Sequence, residues 1–292
     1  MSSRHAALPS ALLVPGPGAF AAIYALDSAA RALTAAVIPL HAYSLYRQIS
    51  TDDADSYVGT TYSGVAMMSF AVTFLVPFVM HRYGRNATYI IGTLCCVAGM
   101  MCLATSTIPG LAIGMLGRAL SGAIGTVSLI LFIVDFIPRE NLVRSETLRL
   151  FSSCLAWGFG PVVGVTLYER FGIVAPAAAS IAIHLCLILF FWRLHLAKPT
   201  VEQMPPRNPF TMIHRFVSQK RLRLSWLIVF GRSAWWSMFF AYPALYLQDH
   251  GIDEKWAGWL IGFGNLLLAL APLVRLVAQR IGIRRPLIGS FW

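Results

Sequence analysis

The sequence predicts an all-α, polytopic membrane protein, and three observations support this prediction. Of its 292 residues 57% are hydrophobic and only 12% are charged, whereas soluble domains average about 25% charged residues. The mean hydropathy is +0.67. Apolar runs of roughly 20 residues, the length that crosses the hydrocarbon core of a bilayer, recur along the chain. A water-soluble enzyme, a coiled coil and a disordered chain are therefore excluded.

Eight apolar runs are separated by charged or turn residues. In lipid each run must satisfy its own backbone hydrogen bonds, and none alternates as a barrel strand would, so all eight are predicted to be helices. They lie near residues 19–43, 58–80, 88–107, 111–134, 150–168, 173–195, 224–247 and 256–277.

The net charge of +11 is distributed in a way that predicts the orientation in the membrane. Most Lys and Arg residues lie at the two ends and in the loops after the second, fourth and sixth spans, while the alternate loops carry mainly Asp and Glu. The positive-inside rule then places both termini in the cytoplasm of an inner or plasma membrane protein. Because the basic residues follow topology, no nucleic-acid partner is predicted.

A basic, proline-containing linker at residues 197–223 divides the chain. It separates a six-helix bundle at 1–196 from a partial bundle at 224–292, which has two helices and the start of a third. A faint repeat crosses this linker, because PFVMHRYGRN after the second span recurs as RLVAQRIGIR after the eighth. Such an arrangement of repeated helical halves is typical of secondary transporters. Three matched pairs are 198 residues apart: Gly64 and Gly262, Arg82 and Arg280, Gly84 and Gly282.

The loop after the second span resembles that of the major facilitator superfamily, whose pattern there is G-x-L-A-D-R-x-G-R-K. Arg82, Gly84 and Arg85 match this pattern. The resemblance implies a tight cytoplasmic turn, in which Gly84 takes a positive φ and the guanidinium groups hold neighbouring helix ends. Three positions differ from the pattern: Pro77, His81 and Asn86.

The fifth span resembles the G-P-x-x-G segment that the family associates with antiporters. Gly160, Pro161 and Gly164 match, whereas Val165 replaces the pattern's last glycine. Small residues four positions apart let two helices approach closely, and a proline inside the helix bends it. The resemblance implies that this helix takes part in the conformational change.

The family usually has twelve helices, so we expect this chain to be a truncated product lacking most of the last four. Two alternatives stay open: another chain supplies the missing wall, or the protein is a non-transporting membrane binding or scaffold protein. The oligomeric state is not predicted.

Asp27, Arg31 and Arg118 are the first candidates for a substrate or proton pathway. Asp27 is the only acid of the first span, and a carboxylate held away from water can take up a proton as a cavity opens and closes. The alternatives are a neutralising pair with Arg31 at i,i+4 spacing, or a substrate contact. With Gly122, Arg118 fits the family's R-x-x-x-G pattern, which implies proton transfer or anion binding; the alternative is a clasp to Asp27 or to a helix C-terminus.

The seventh span adds Arg232, Trp235 and Tyr242 to this pathway. Aromatic faces beside a cation suit an amphipathic organic substrate, although the same residues could form an interfacial belt. His41 and His184 could titrate or could be hydrogen-bonded packing residues.

No nucleotide loop, nucleophile elbow or metal-binding motif occurs, so neither an enzyme nor a cofactor or metal site is predicted. The sequence favours a secondary active transporter that moves a small organic solute by alternating access, with proton-coupled efflux preferred over metabolite uptake. The predicted partners are the lipid bilayer, the solute and, for antiport, protons.

Overall fold

The computed structural model describes residues 16–50, 53–194, 209–253 and 255–270, together with five isolated positions near the C-terminus. Within these residues the regular structure is helical and contains no strand. The described part leaves out residues 1–15 and 195–208 and most of those after 270, including Arg275. The predicted domain boundaries near 196 and 223 therefore stay a prediction.

Eleven α-helices form the described part of the chain. Length and apolarity mark five segments as able to cross a membrane, and the bent pair α3 and α4 is a sixth. The five are α1 with α2, α5, α6, α7 and α8. The helices are α1 Pro17–Ala32, α2 Val37–Arg47, α3 Ala54–Thr73, α4 Val76–Tyr83, α5 Arg85–Leu103, α6 Ile108–Phe136, α7 Leu142–Phe171, α8 Val174–Arg193, α9 Pro209–Ser218, α10 Lys220–Asp249 and α11 Lys255–Leu266.

The predicted seventh and eighth spans correspond to α10 and α11. Neither belongs to the strongly apolar group, because α10 carries Arg232 among many Trp and Tyr side chains and α11 is described over only 12 residues. Their crossing of the membrane stays a prediction.

Two of the predicted spans are broken, and a proline follows each break. Residues 33–36 form a turn between α1 and α2, and Pro39 lies in the first turn of α2. The axes of α3 and α4 differ by 44°, with Pro77 at the start of α4. Proline has no backbone N–H and crowds the preceding turn, so a helix loses a hydrogen bond there and breaks readily at such a position.

Helix α7 packs closely against α1 on one side and α11 on the other. A side chain at Gly164 would overlap the carbonyl oxygen of Leu33, and one at Gly262 would overlap the carbonyl of Gly158. Contacts this close are possible only where the side chain is a hydrogen atom. The helix is continuous through Pro161.

Two apolar clusters fill the interior at different depths. One gathers Phe20, Ile23, Phe132 and Phe191 near one end of the helices. The other joins α2, α5, α7, α10 and α11 toward the opposite end. Asp27 and Arg31 of α1 and Arg118 of α6 lie in sequence between members of these two clusters. We call these three residues the charged layer.

Candidate functional site

The centre of the charged layer is an ion pair within α1. The guanidinium of Arg31 donates a hydrogen bond to the carboxylate of Asp27 four residues earlier. Their side chains are only 17% and 8% exposed. Arg31 lies near the midpoint of the Pro17–Arg47 span, in the last turn of α1 before the break. An ion pair at this depth is costly to separate, because neither charge is then compensated.

Arg118 joins this pair from α6. Its Nη2 donates to the backbone carbonyl of Arg31 at 3.1 Å. That carbonyl is at the C-terminal end of α1, where the negative pole of the helix attracts a cation. Of the alternatives that the sequence leaves open for Arg118, this geometry matches the clasp to a helix C-terminus. Gly122, one turn further along α6, leaves space for the Arg31 guanidinium beside it.

The charged layer has one more cation than anion among the residues that the structure describes. Two guanidinium groups meet a single carboxylate, and the Nε atoms of Arg31 and Arg118 have no hydrogen-bond partner within that part of the chain. Tyr62 of α3 and Cys96 of α5 lie close enough to Arg118 for their ionised forms to feel its charge. Polar side chains from four helices therefore meet at this level.

His184 is fully buried and participates in a structural hydrogen-bond chain. Its Nδ1 donates to the Ser180 carbonyl at 2.8 Å, and the Ser180 hydroxyl donates to the Ala30 carbonyl at 2.8 Å. These bonds tie α8 to α1. They match the interpretation of His184 as a hydrogen-bonded packing residue.

His41 holds three segments together at the opposite end of the first span. Its Nδ1 lies 3.3 Å from the Tyr168 hydroxyl of α7, and its Nε2 lies 3.3 Å from the Ser106 hydroxyl in the loop before α6. The rings of His41 and Tyr168 also meet edge to face. The His41 imidazole therefore connects α2 to α7 and to the loop before α6.

The predicted aromatic candidates of α10 separate into two groups. Arg232 and Trp235 are exposed on the helix surface, where Trp235 stacks on Phe239 with ring centroids 5.2 Å apart. Tyr242 is exposed as well, and it lines an open cavity between α3 and α10. The structure therefore does not bring these three residues together at one cavity.

This α3–α10 cavity has a volume of about 420 Å³. Tyr62, Tyr242 and Tyr246 are among its walls, and its charged lining residues are Asp55 and Asp249. Asp55 lies in the first turn of α3 and Asp249 is the last residue of α10. From the sequence these two acids are only loop charges, because no sequence pattern pairs positions so far apart.

The turn between α4 and α5 has the geometry expected from the motif. Gly84 has a φ of +83°, and its counterpart in the repeat, Gly282, has a φ of +80°. Arg85 forms an ion pair with Asp135 at the end of α6, whereas Arg82 is exposed. The family pattern has an Asp at the position of His81; in this chain the carboxylate that pairs with the turn is that of Asp135 in α6.

A second ion-pair contact joins the C-terminal end of α7 to the N-terminal end of α11. The Lys255 ammonium lies 3.6 Å from the Glu169 carboxylate and 3.4 Å from that of Asp253. The backbone N–H of Lys255 donates to Asp253 at 3.0 Å, and this hydrogen bond lowers the pKa of the Asp253 carboxyl.

Comparison with known proteins gives one family. The sequence profile of the Major Facilitator Superfamily matches residues 20–291. Searches of curated proteins and of solved structures gave no match.

Proposed function

Because the chain belongs to the major facilitator superfamily, and so is an integral membrane protein of a transporter family, we propose that it is a secondary active transporter of a small organic solute. In this proposal the solute moves by alternating access and is exchanged for protons in the direction of efflux.

The observation that carries the proposal is the Asp27–Arg31 ion pair at mid-span. Protonation of Asp27 converts its carboxylate into a neutral acid and removes the partner of the Arg31 guanidinium. An unpaired charge at this depth costs about 2.5 kcal/mol or more, so the loss of the pair favours a different arrangement of the helices. The pair thus offers a site where one proton can change the conformation.

Arg118 supports the coupling of that site to α6. It holds the carbonyl of Arg31 beside the break between α1 and α2. A change at Asp27 is therefore felt at the end of α1 and, through Arg118, in a second helix. Proline-associated breaks are suitable places for such movement, because their backbone ladder is already interrupted.

The proposed orientation follows from the loops. Arg85 and Arg144 lie at the N-terminal ends of α5 and α7, and Arg193 lies at the C-terminal end of α8. Helices that cross the membrane alternately bring these three ends to one side, and the positive-inside rule assigns that side to the cytoplasm. The direction of transport is supported by the close contact of Gly160 and Gly164 with α1, on a segment that resembles the antiporter pattern.

Transport is tested by reconstituting the full chain into liposomes and imposing a pH gradient. Three fluorescent solutes serve as probes: ethidium as a cation, fluorescein as an anion and N-phenylnaphthylamine as a neutral compound. We expect gradient-driven movement of at least one probe, and its loss in Asp27→Asn. Glu146→Gln, which opens a more exposed ion pair with Arg149, is the matched control and should transport normally.

Three results would contradict the proposal. Undiminished gradient-driven flux in Asp27→Asn would exclude that carboxylate as the proton carrier. No flux of any probe would instead favour the non-transporting binding or scaffold protein. Movement driven only in the opposite direction would replace efflux by uptake.

A further inference from the structure

We propose that the α3–α10 cavity is a binding site for an organic cation. This inference rests on the proposed transport function, to which it adds a substrate class. The sequence pairs a cation, Arg232, with the aromatic side chains of α10 and predicts an amphipathic substrate without fixing its charge. The structure places two carboxylates among the residues that line the cavity.

The charge of the cavity is the first argument. Its charged lining residues are Asp55 and Asp249, one from each of the two helices that form its walls. When ionised, both carboxylates accept hydrogen bonds but cannot donate them. They therefore match a ligand that carries positive charge or N–H donors. Their positions at helix ends place them at one mouth of the cavity.

The walls are the second argument. Tyr62, Tyr242 and Tyr246 present aromatic rings, and Met238 adds a flexible apolar surface. Aromatic faces attract cations through the ring quadrupole, and quaternary ammonium groups are recognised in this way. The volume of about 420 Å³ lies within the range of roughly 300–1,000 Å³ that small-molecule sites occupy.

Among the residues that the structure describes, no Lys, Arg or His lines the cavity. The Arg47 guanidinium lies 6.0 Å from the centre of the Tyr43 ring, and Tyr43 interacts in turn with Asp55 and Asp249. His250 lies 3.8 Å from the Asp249 carboxylate, while its Nδ1 donates to the Tyr246 carbonyl. These contacts position Asp249 at the rim without supplying a cation to the interior.

Tyr62 connects the cavity to the charged layer. It lines the α3–α10 cavity and also interacts electrostatically with Arg118. The positive charge of Arg118 bounds the region in which an organic cation is stable. The cation therefore sits toward the carboxylates, and the proton site at Asp27 remains separate from it.

The test uses two probes that match in size and shape and differ in charge, tetraphenylphosphonium and tetraphenylborate. Each is titrated separately, by calorimetry, into the full chain in an uncharged maltoside detergent, with protein-free micelles as the blank. We expect the phosphonium to bind and the borate to bind at least about tenfold more weakly. Equal affinity for the two ions would overturn the inference, and this comparison needs no variant.

Two isosteric variants locate the binding. Asp55→Asn and Asp249→Asn should each weaken phosphonium binding about tenfold. Asp253→Asn removes an acidic charge from the same end of the helices but not from the cavity, and should leave the affinity within about twofold. Thermal melting identifies any variant that fails to fold. Unchanged affinity in the folded Asp55→Asn, Asp249→Asn double variant would overturn the assignment.

Calorimetry measures binding without transport. A failure of the proposed cation site can therefore be distinguished from a failure of the proposed transport function. Loss of charge-selective binding contradicts the cation site alone. Absence of flux in the liposome experiment contradicts the proposed function alone.

Discussion

The Asp27–Arg31 pair shows what the sequence can and cannot predict about a buried charge. Helical spacing of four residues is sufficient to predict that the two side chains meet. The bond from Arg118 to the Arg31 carbonyl joins positions 87 residues apart, and it forms at the end of α1, where the same carbonyl also accepts hydrogen bonds from Thr34. Only the folded backbone could reveal it.

The stability of the charged layer depends on charge balance. Asp27→Asn leaves the Arg31 guanidinium without its carboxylate, so we expect a loss of roughly 3 kcal/mol in the free energy of unfolding. Adding Arg31→Gln removes the uncompensated charge and should recover more than half of this loss. The measurement is denaturation of the purified variants in detergent.

The more exposed pair of Arg149 and Glu146 provides the comparison for that experiment. Glu146→Gln should cost about 1 kcal/mol or less. A double variant at 27 and 31 that is less stable than Asp27→Asn alone would contradict the charge-balance explanation.

The turn at Gly84 gives a second prediction at the scale of one residue. Its φ of +83° and ψ of 163° belong to a region that only glycine occupies readily, so Gly84→Ala should destabilise the protein by about 1–3 kcal/mol. Gly18→Ala, a helical site with open space around it, is the control. Equal melting temperatures for the two variants would show that the turn tolerates a side chain.

At the scale of the element, helix identity was predictable and helix continuity was not. Apolar runs locate the first six spans because lipid demands their length and composition. The same runs conceal the breaks before Pro39 and Pro77, since an apolar sequence looks continuous across them. Proline marks where a helix can break, but packing decides whether it does: α7 continues through Pro161.

The contact between α1 and α7 is predicted to tolerate no added side chain. Gly164→Ala introduces a methyl group where the Leu33 carbonyl lies, so we expect about 1–3 kcal/mol of destabilisation and reduced flux. In Gly231→Ala the methyl group meets open space, and helix propensity should make that control neutral or up to about 1 kcal/mol more stable. A Gly164→Ala protein as stable as Gly231→Ala would disprove the close approach.

At the scale of the whole molecule, α7 is the element that joins the two halves of the sequence. It contacts α1 through Gly160 and Gly164, and it contacts α11 through Gly158. From three residues, the family resemblance predicts that this helix takes part in the conformational change, and this stays a prediction. It could not predict the α3–α10 cavity, because α3 and α10 are brought together only by the fold.

Cross-linking the ends of α7 and α11 should stop transport if the two halves move apart there. Glu169→Cys with Lys255→Cys, in a chain whose five native cysteines are replaced, provides the sites, since the native side chains approach within 3.6 Å. A short disulfide-containing bismaleimide should abolish flux, and a reductant should restore it. Unchanged flux after complete cross-linking would show that this contact does not open, and Glu169→Cys alone controls for the reagent.

The most direct test of the proposed proton site at Asp27 is to measure proton movement. Liposomes containing the full chain and an internal pH dye are given an ethidium gradient, and internal pH and ethidium are recorded together. In the native protein we expect ethidium movement to drive proton movement in the opposite direction. In Asp27→Asn we expect ethidium to move without protons. Proton movement that persists undiminished in Asp27→Asn would contradict the central claim that the Asp27–Arg31 pair carries the proton.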